Sequence, residues 1–191
     1  MLILKQALAA TLTLVLTGCI GDEDSQEQCS SIAVRNFEAE QKFTASYSGE
    51  ESRTLTFTPQ DNGLRINVES ASKADQTYMV SSDPDTSCLK AEPELTDEIR
   101  FIADLSPSTD FVARHYFAID VSRDGNASSV CENSNVKYQP LARTQCSYTV
   151  RYSNGSEIDY SQFNDKNAQP VGLDAKHEGT LVYSLAPVIS D

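Results

Sequence analysis

Five cysteines, at positions 19, 29, 88, 131 and 146, carry most of the chemistry that the chain offers. A thiolate is a strong nucleophile, so a cysteine can be alkylated, ligate a soft metal or pair into a disulfide. No Cys-x-x-Cys spacing and no Cys/His cluster occurs, which argues against zinc and against a dithiol redox site. Acid–base chemistry near neutrality is limited to two histidines, His115 and His177. His115 falls on the apolar side of an alternating stretch and reads as a buried or half-buried histidine with a hydrogen-bond partner; it is also the leading general base if the chain is a hydrolase. His177, in Asp174-Ala-Lys-His-Glu-Gly179, reads as a surface loop residue. There is no Gly-x-Ser-x-Gly elbow, His-Glu-x-x-His helix or phosphate-cradling glycine loop, so no catalytic residue is assigned. Acids crowd between Asp83 and Glu98, where Asp83, Asp85 and Glu94 are the candidate ligands for a weak calcium site. Their spacing matches no defined calcium loop; a solvated charged loop is the simpler reading, and no cofactor is expected.

The first cysteine sits in a distinct setting. One basic residue, Lys5, precedes a short apolar stretch that ends in Leu16-Thr17-Gly18-Cys19, the pattern of a secretory signal. That stretch is shorter than the roughly 20 residues that span a bilayer core, and Asp22-Glu23-Asp24 follows almost at once. Leu16-Thr17-Gly18-Cys19 resembles the lipobox of bacterial lipoproteins. The resemblance implies that the Cys19 thiol receives diacylglycerol, that the chain is cut before it, and that the new amine is acylated. In that class an aspartate after the cysteine is the usual inner-membrane retention signal. Ile20 stands there instead, which implies the outer membrane, facing the periplasm or the surface. The implied organisation is a signal peptide over 1–18, a lipidated cysteine and flexible acidic tether over 19–28, and one globular domain over 29–191.

Removing Lys5 with the signal leaves 14 basic residues against 28 acidic ones, a formal charge of −14. Nucleic acid is a poor partner for such a surface, and anionic headgroups would repel it, so membrane attachment is expected through the lipid. The four remaining cysteines imply two disulfides in an exported chain. Cys131–Cys146 would close a local loop, and Cys29–Cys88 would tie the N-terminal end to the domain; three pairings are open.

These residues need a framework, and the dominant pattern is alternation with a period of two. Phe43, Ala45 and Tyr47 alternate with polar residues, as do Leu55 and Phe57, then Leu64, Ile66 and Val68. Pairing Phe57 with Leu64 and Leu55 with Ile66 predicts a hairpin with a four-residue loop, Pro59-Gln60-Asp61-Asn62. A second hairpin pairs Val150 with Ile158 and Tyr148 with Tyr160 around Ser153-Asn154-Gly155, with Gly155 left-handed in a bulge. Further strands are predicted at Gln76–Ser81, Arg100–Leu105, Phe111–Ser122 and Thr180–Leu185. Short helices are predicted at Ile32–Glu40 and Pro93–Ile99. The class is mainly β: an antiparallel β-sandwich, jelly-roll or immunoglobulin-like, with one or two short helices and two disulfides.

Arg53-Thr-Leu-Thr-Phe57-Thr-Pro59, Gly63-Leu-Arg-Ile-Asn-Val68 and Gln76-Thr-Tyr78-Met-Val80 resemble, in order, the central strands of prepeptidase-C-terminal β-sandwich domains, over residues 43–82. That resemblance implies a sandwich and a protease-accessory role. Tyr148, Tyr152 and Tyr160 could line a binding face. The functional expectation is a membrane-anchored, non-enzymatic binding or assembly module with an envelope protein as partner. An envelope hydrolase or protease-accessory domain is the alternative, and a weak calcium-binding module the third.

Overall fold

A computed structural model describes residues 35, 37–82, 89–103, 105 and 108–189. Strands β1 (Gln41–Tyr47), β2 (Arg53–Gln60), β3 (Gly63–Glu69), β4 (Gln76–Ser82) and β5 (Leu89–Glu92) form one antiparallel meander. After two helices, α1 (Asp97–Ile102) and α2 (Asp110–Phe117), a second meander follows: β6 (Val130–Glu132), β7 (Thr144–Arg151), β8 (Glu157–Asn164), β9 (Pro170–His177) and β10 (Thr180–Pro187). β10 returns beside β1 and fuses the meanders into one ten-stranded sheet, ordered β5-β4-β3-β2-β1-β10-β9-β8-β7-β6.

The mainly β, antiparallel class is as expected, but the layering differs. Where two facing sheets were expected, all ten strands hydrogen-bond into one sheet, and the helices cover its apolar face. Ile99, Phe101 and Ile102 of α1 and Phe111, Val112 and Ala113 of α2 join Phe43, Phe57, Ile66, Tyr160 and Leu173 in a single core. Alternation shows that a strand has one buried face; it carries no information about what covers that face.

Two segments expected as strands, Arg100–Leu105 and Phe111–Ser122, instead supply the helices. In α1 the Thr96 hydroxyl accepts the Ile99 N–H at 3.3 Å, a side-chain N-cap, with Asp97 and Glu98 in the first turn. Leu95, Ile99 and Ile102 then recur at helical spacing and are buried. The helix expected over Pro93–Ile99 thus begins later, at Asp97. In α2 the apparent alternation of Phe111, Ala113, His115 and Phe117 ignores Val112 and Tyr116, apolar residues that a two-faced strand would expose on its other side. The helix ends where Ala118 turns left-handed, at φ 51°. Residues 37–40, at the end of the other helix expected, are not helical, and Phe37 packs 5.2 Å from the Phe57 ring.

The hairpin registers divide. The second is as expected, with Val150 opposite Ile158, Tyr148 opposite Tyr160, and Gly155 at φ +82°. In the first, Phe57 lies opposite Ile66 and Leu55 opposite Val68, with only Asp61 and Asn62 in the turn. A slip of two residues leaves every side chain on its own face, so the alternation fits both registers. Gly63 sits where β3 passes β4 so closely that a Cβ would lie 1.9 Å from the Val80 carbonyl oxygen.

Loop residues 133–143 fold over the other face of β8 and β9, where Val136, Ala142, Phe163 and Val171 form a smaller cluster with Tyr138. The Tyr138 ring occupies the space beside Gly172, 2.9 Å from where a Cβ would stand. Cys131 and Cys146 face each other across β6 and β7 in a disulfide, the local pairing expected. Cys29 and Cys88, the other expected pair, lie outside the described residues, as does Cys19.

Candidate functional site at the ends of the second helix

Helix α2 rests on two polar assemblies, one at each end. At its N-terminal end the hydroxyls of Tyr152 and Tyr160 lie 2.8 Å apart. Tyr160 donates to the Thr109 carbonyl at 3.2 Å, and Tyr152 to Asp110 Oδ1 at 3.3 Å. Arg123 Nε donates to the same carboxylate oxygen at 2.6 Å. Burial pushes the Tyr152 phenol up to about 12 and that of Tyr160 higher still, so both remain neutral donors. Of the three tyrosines expected to line a binding face, Tyr152 and Tyr160 are therefore buried supports for α2, and Tyr148 is half-buried beside them. Their sequence spacing is that of the hairpin face, and that face is the core face.

The C-terminal end gathers the residues with acid–base chemistry. His115 lies not on a strand but in the last turn of α2, with its side chain 43% exposed. Its ring stacks on Tyr47 of β1 with 3.7 Å between centroids, and Nε2 donates to Glu50 Oε1 at 2.6 Å. Beneath it Tyr47 leans on Tyr183 of β10, at 4.8 Å, and the Tyr183 hydroxyl donates to Glu98 Oε1 at 2.6 Å. Arg53 Nη2 reaches that same oxygen at 3.2 Å. Burial raises the pKa of Glu98, against the opposing charge of Arg53, the Tyr183 hydrogen bond and His115. Burial, and next the charge of Glu98, also hold the Tyr47 phenol far above its ordinary value.

His177, at the end of β9, comes to the same place. Its ring lies 5.4 Å from Tyr116 and 5.3 Å from Phe117. Tyr116 and Ile119, 41% and 50% exposed, add apolar area at this end of the fold, while Leu181, paired with Lys176, faces the other side of the sheet. The arrangement offers a carboxylate-paired imidazole and, next to it, a fixed aromatic surface. Glu50, Tyr47, Arg53 and Tyr183 were not foreseen; they come from distant strands, and no spacing announces them.

Of the candidate calcium ligands, Asp83 and Asp85 lie outside the described residues and Glu94 is exposed. Among the described residues no group of three His, Cys, Asp or Glu side chains is placed to hold a metal ion. Glu98, the last acid of that run, instead serves inside the core. No family model, curated protein or solved structure matches the chain.

Proposed function

We propose that this chain is an envelope lipoprotein, anchored through acyl groups on Cys19, whose β-domain binds or assembles with an envelope protein without turning over a substrate. The observation that carries the reading is the exposed surface of Tyr116 and Ile119, stiffened by the contacts of Tyr116 with Phe117 and His177. Rigid aromatic side chains with little entropy left to lose are the usual anchors of protein interfaces. The polar groups nearby support this reading, since Glu98, Arg53 and Tyr183 engage one another and His115 leans on Tyr47. The test is photo-cross-linking in native envelopes from a probe at Asp120, exposed beside Ile119. Recurrent capture of one protein partner supports the module; capture of none, from a folded and membrane-fractionating protein, counts against it.

One observation favours an envelope hydrolase or protease-accessory domain as a second reading, namely the 2.6 Å pairing of His115 with Glu50. An imidazole oriented by a carboxylate is the arrangement of a general base. Turnover of a peptide, ester or cell-wall substrate that vanishes in His115→Ala, with the fold intact, would establish that reading and displace the first.

A further inference from the structure

At the end of the sheet opposite His115, where β1 and β9 begin and β10 stops, a groove of about 660 Å³ opens between Phe43, Val171 and Leu141. Leu141, Val188 and Ile189 are 41%, 46% and 47% exposed along it. Val188 is held there by its N–H, which donates to the Lys42 carbonyl at 2.8 Å, so these apolar side chains are presented on a fixed backbone. In a chain of formal charge −13, the charges here nearly balance: Lys42 and Glu40 line the groove, and Arg143 and Lys166 stand with Glu38 and Asp165 around the adjoining pocket. The chain also enters the domain here. Arg35 is buried at the same end, donating to the Pro170 carbonyl at 2.5 Å and to Gln41 Oε1 at 3.4 Å, beside a shallower pocket that shares Pro140 and Leu141 with the groove.

We propose that this end faces the bilayer and that Leu141, Val188 and Ile189 insert into the phospholipid surface on which the chain is anchored. The inference rests on the reading of Cys19 as lipidated. From Cys19 to Arg35 the backbone can reach at most about 55 Å, so an anchored domain meets its membrane at a high effective concentration, and a shallow contact suffices. A rim whose acids and bases nearly balance meets anionic headgroups without the repulsion that the rest of this acidic surface meets. Val188 stands seven residues beyond Leu181 along β10 and its extension, about 23 Å at strand rise. Insertion at Val188 and Ile189 therefore holds Tyr116 and His177 away from the membrane, where a partner can reach them.

The sequence contains no tryptophan, so a single introduced one reports its own surroundings. The experiment uses the full mature protein with Ile189→Trp or, at the other end, Leu181→Trp, in phosphatidylcholine–phosphatidylglycerol vesicles with brominated acyl chains. Both positions are exposed, and equal urea midpoints confirm that neither change disturbs folding. Ile189→Trp is expected to be quenched about two-fold or more and blue-shifted, as for a side chain at the headgroup–acyl boundary, with Leu181→Trp unchanged. A protein that floats with vesicles while Ile189→Trp stays unquenched overturns the insertion and leaves the anchor standing. Equal quenching at both positions overturns the orientation. A blue shift without lipid, with dimers in sedimentation, assigns the groove to a second copy and overturns the proposal. Mass spectrometry showing an unacylated Cys19 removes the anchor reading and the inference with it.

Discussion

The imidazole of His115 lies flat against the ring of Tyr47, 3.7 Å away, and so joins the last turn of α2 to the first strand of the sheet. Tyr47 in turn leans on Tyr183, whose hydroxyl reaches the buried carboxylate of Glu98 in α1. One contiguous stack therefore links both helices to β1 and β10, the strands at which the two meanders fuse. It runs from the core to the surface, with a titratable group at each end.

Removing the outer end should weaken the attachment of α2 without unfolding the domain. His115→Ala deletes a half-exposed ring stack and one hydrogen bond to an exposed carboxylate, contacts worth about 0.5–1.5 kcal/mol together. The expected result in urea denaturation is a lower midpoint with an unchanged slope. Amide exchange should quicken in α2 before it does in β1. A loss of several kcal/mol would mean that the histidine supports more than the helix end.

The inner end carries a pH dependence whose sign follows from burial. The folded protein holds the Glu98 pKa above its ordinary value of 4.5. A group whose pKa is raised on folding adds stability that is complete below the unfolded value and is lost as pH rises through the folded value. Glu98→Gln keeps an oxygen to accept from Tyr183 and removes the titration. As pH rises from about 4.5, the stability of the wild type should therefore fall relative to that of the variant. Parallel stability curves in chemical denaturation from acid to neutral pH would contradict this.

These assemblies were only partly legible in the residues. Val150 opposite Ile158 could be read because Gly155 and the shared apolar face leave one consistent register. Phe57 opposite Ile66 could not be separated from a two-residue slip, since both registers bury the same faces. α2 was hidden because Phe111, Ala113, His115 and Phe117 imitate a strand when the apolar residues between them are disregarded. That error put His115 on a buried strand face, when it stands half-exposed at a helix end. β9 escaped notice for the opposite reason: residues 170–173 are buried in succession, because Tyr138 covers one side and the core the other, and alternation vanishes. Glu50 lies 65 residues from His115, and pairing at that distance is a property of topology alone.

The disulfide is expected to matter most at the sheet edge. β6 has three residues, all exposed, and Cys131–Cys146 fastens it to β7 across a sequence separation of 15. Replacing both cysteines by alanine should cost about 2–5 kcal/mol, as loss of a native bridge from a small domain typically does. The adjoining 133–143 loop, which covers Phe163 and Val171, should become the first segment to exchange its amides. Retention of full stability in the double variant would show that the loop is held by its own packing.

Tyr160→Phe probes the other end of α2. The lost hydroxyl is buried between Tyr152 and the Thr109 carbonyl, so its removal leaves an acceptor without its donor, at a cost of about 1–3 kcal/mol. Tyr148→Phe, at a half-buried position with a longer 3.4 Å contact to Thr109, should cost less. Thermal denaturation of the two single variants gives the order; a reversed order would place the support for α2 at Tyr148.

The proposed partner surface makes the last prediction, because it separates recognition from stability. Tyr116 and Ile119 are 41% and 50% exposed; a change at Ile119 should alter stability by no more than about 0.5 kcal/mol, and loss of the Tyr116 contacts with Phe117 and His177 by about 0.5–1.5 kcal/mol. An interface anchor behaves differently: truncation of a central aromatic typically costs 2 kcal/mol or more, about a thirty-fold loss of affinity. Tyr116→Ala and Ile119→Ser should therefore lower the denaturation midpoint little, leave the protein folded, and sharply reduce cross-linking to the proposed envelope partner. Glu94→Gln, exposed on the segment leading into α1, should reduce neither. If both patch variants cross-link as well as the wild type at matched membrane levels, recognition does not pass through this surface, and the exposed edges of β5 and β6 become the sites to test by strand addition.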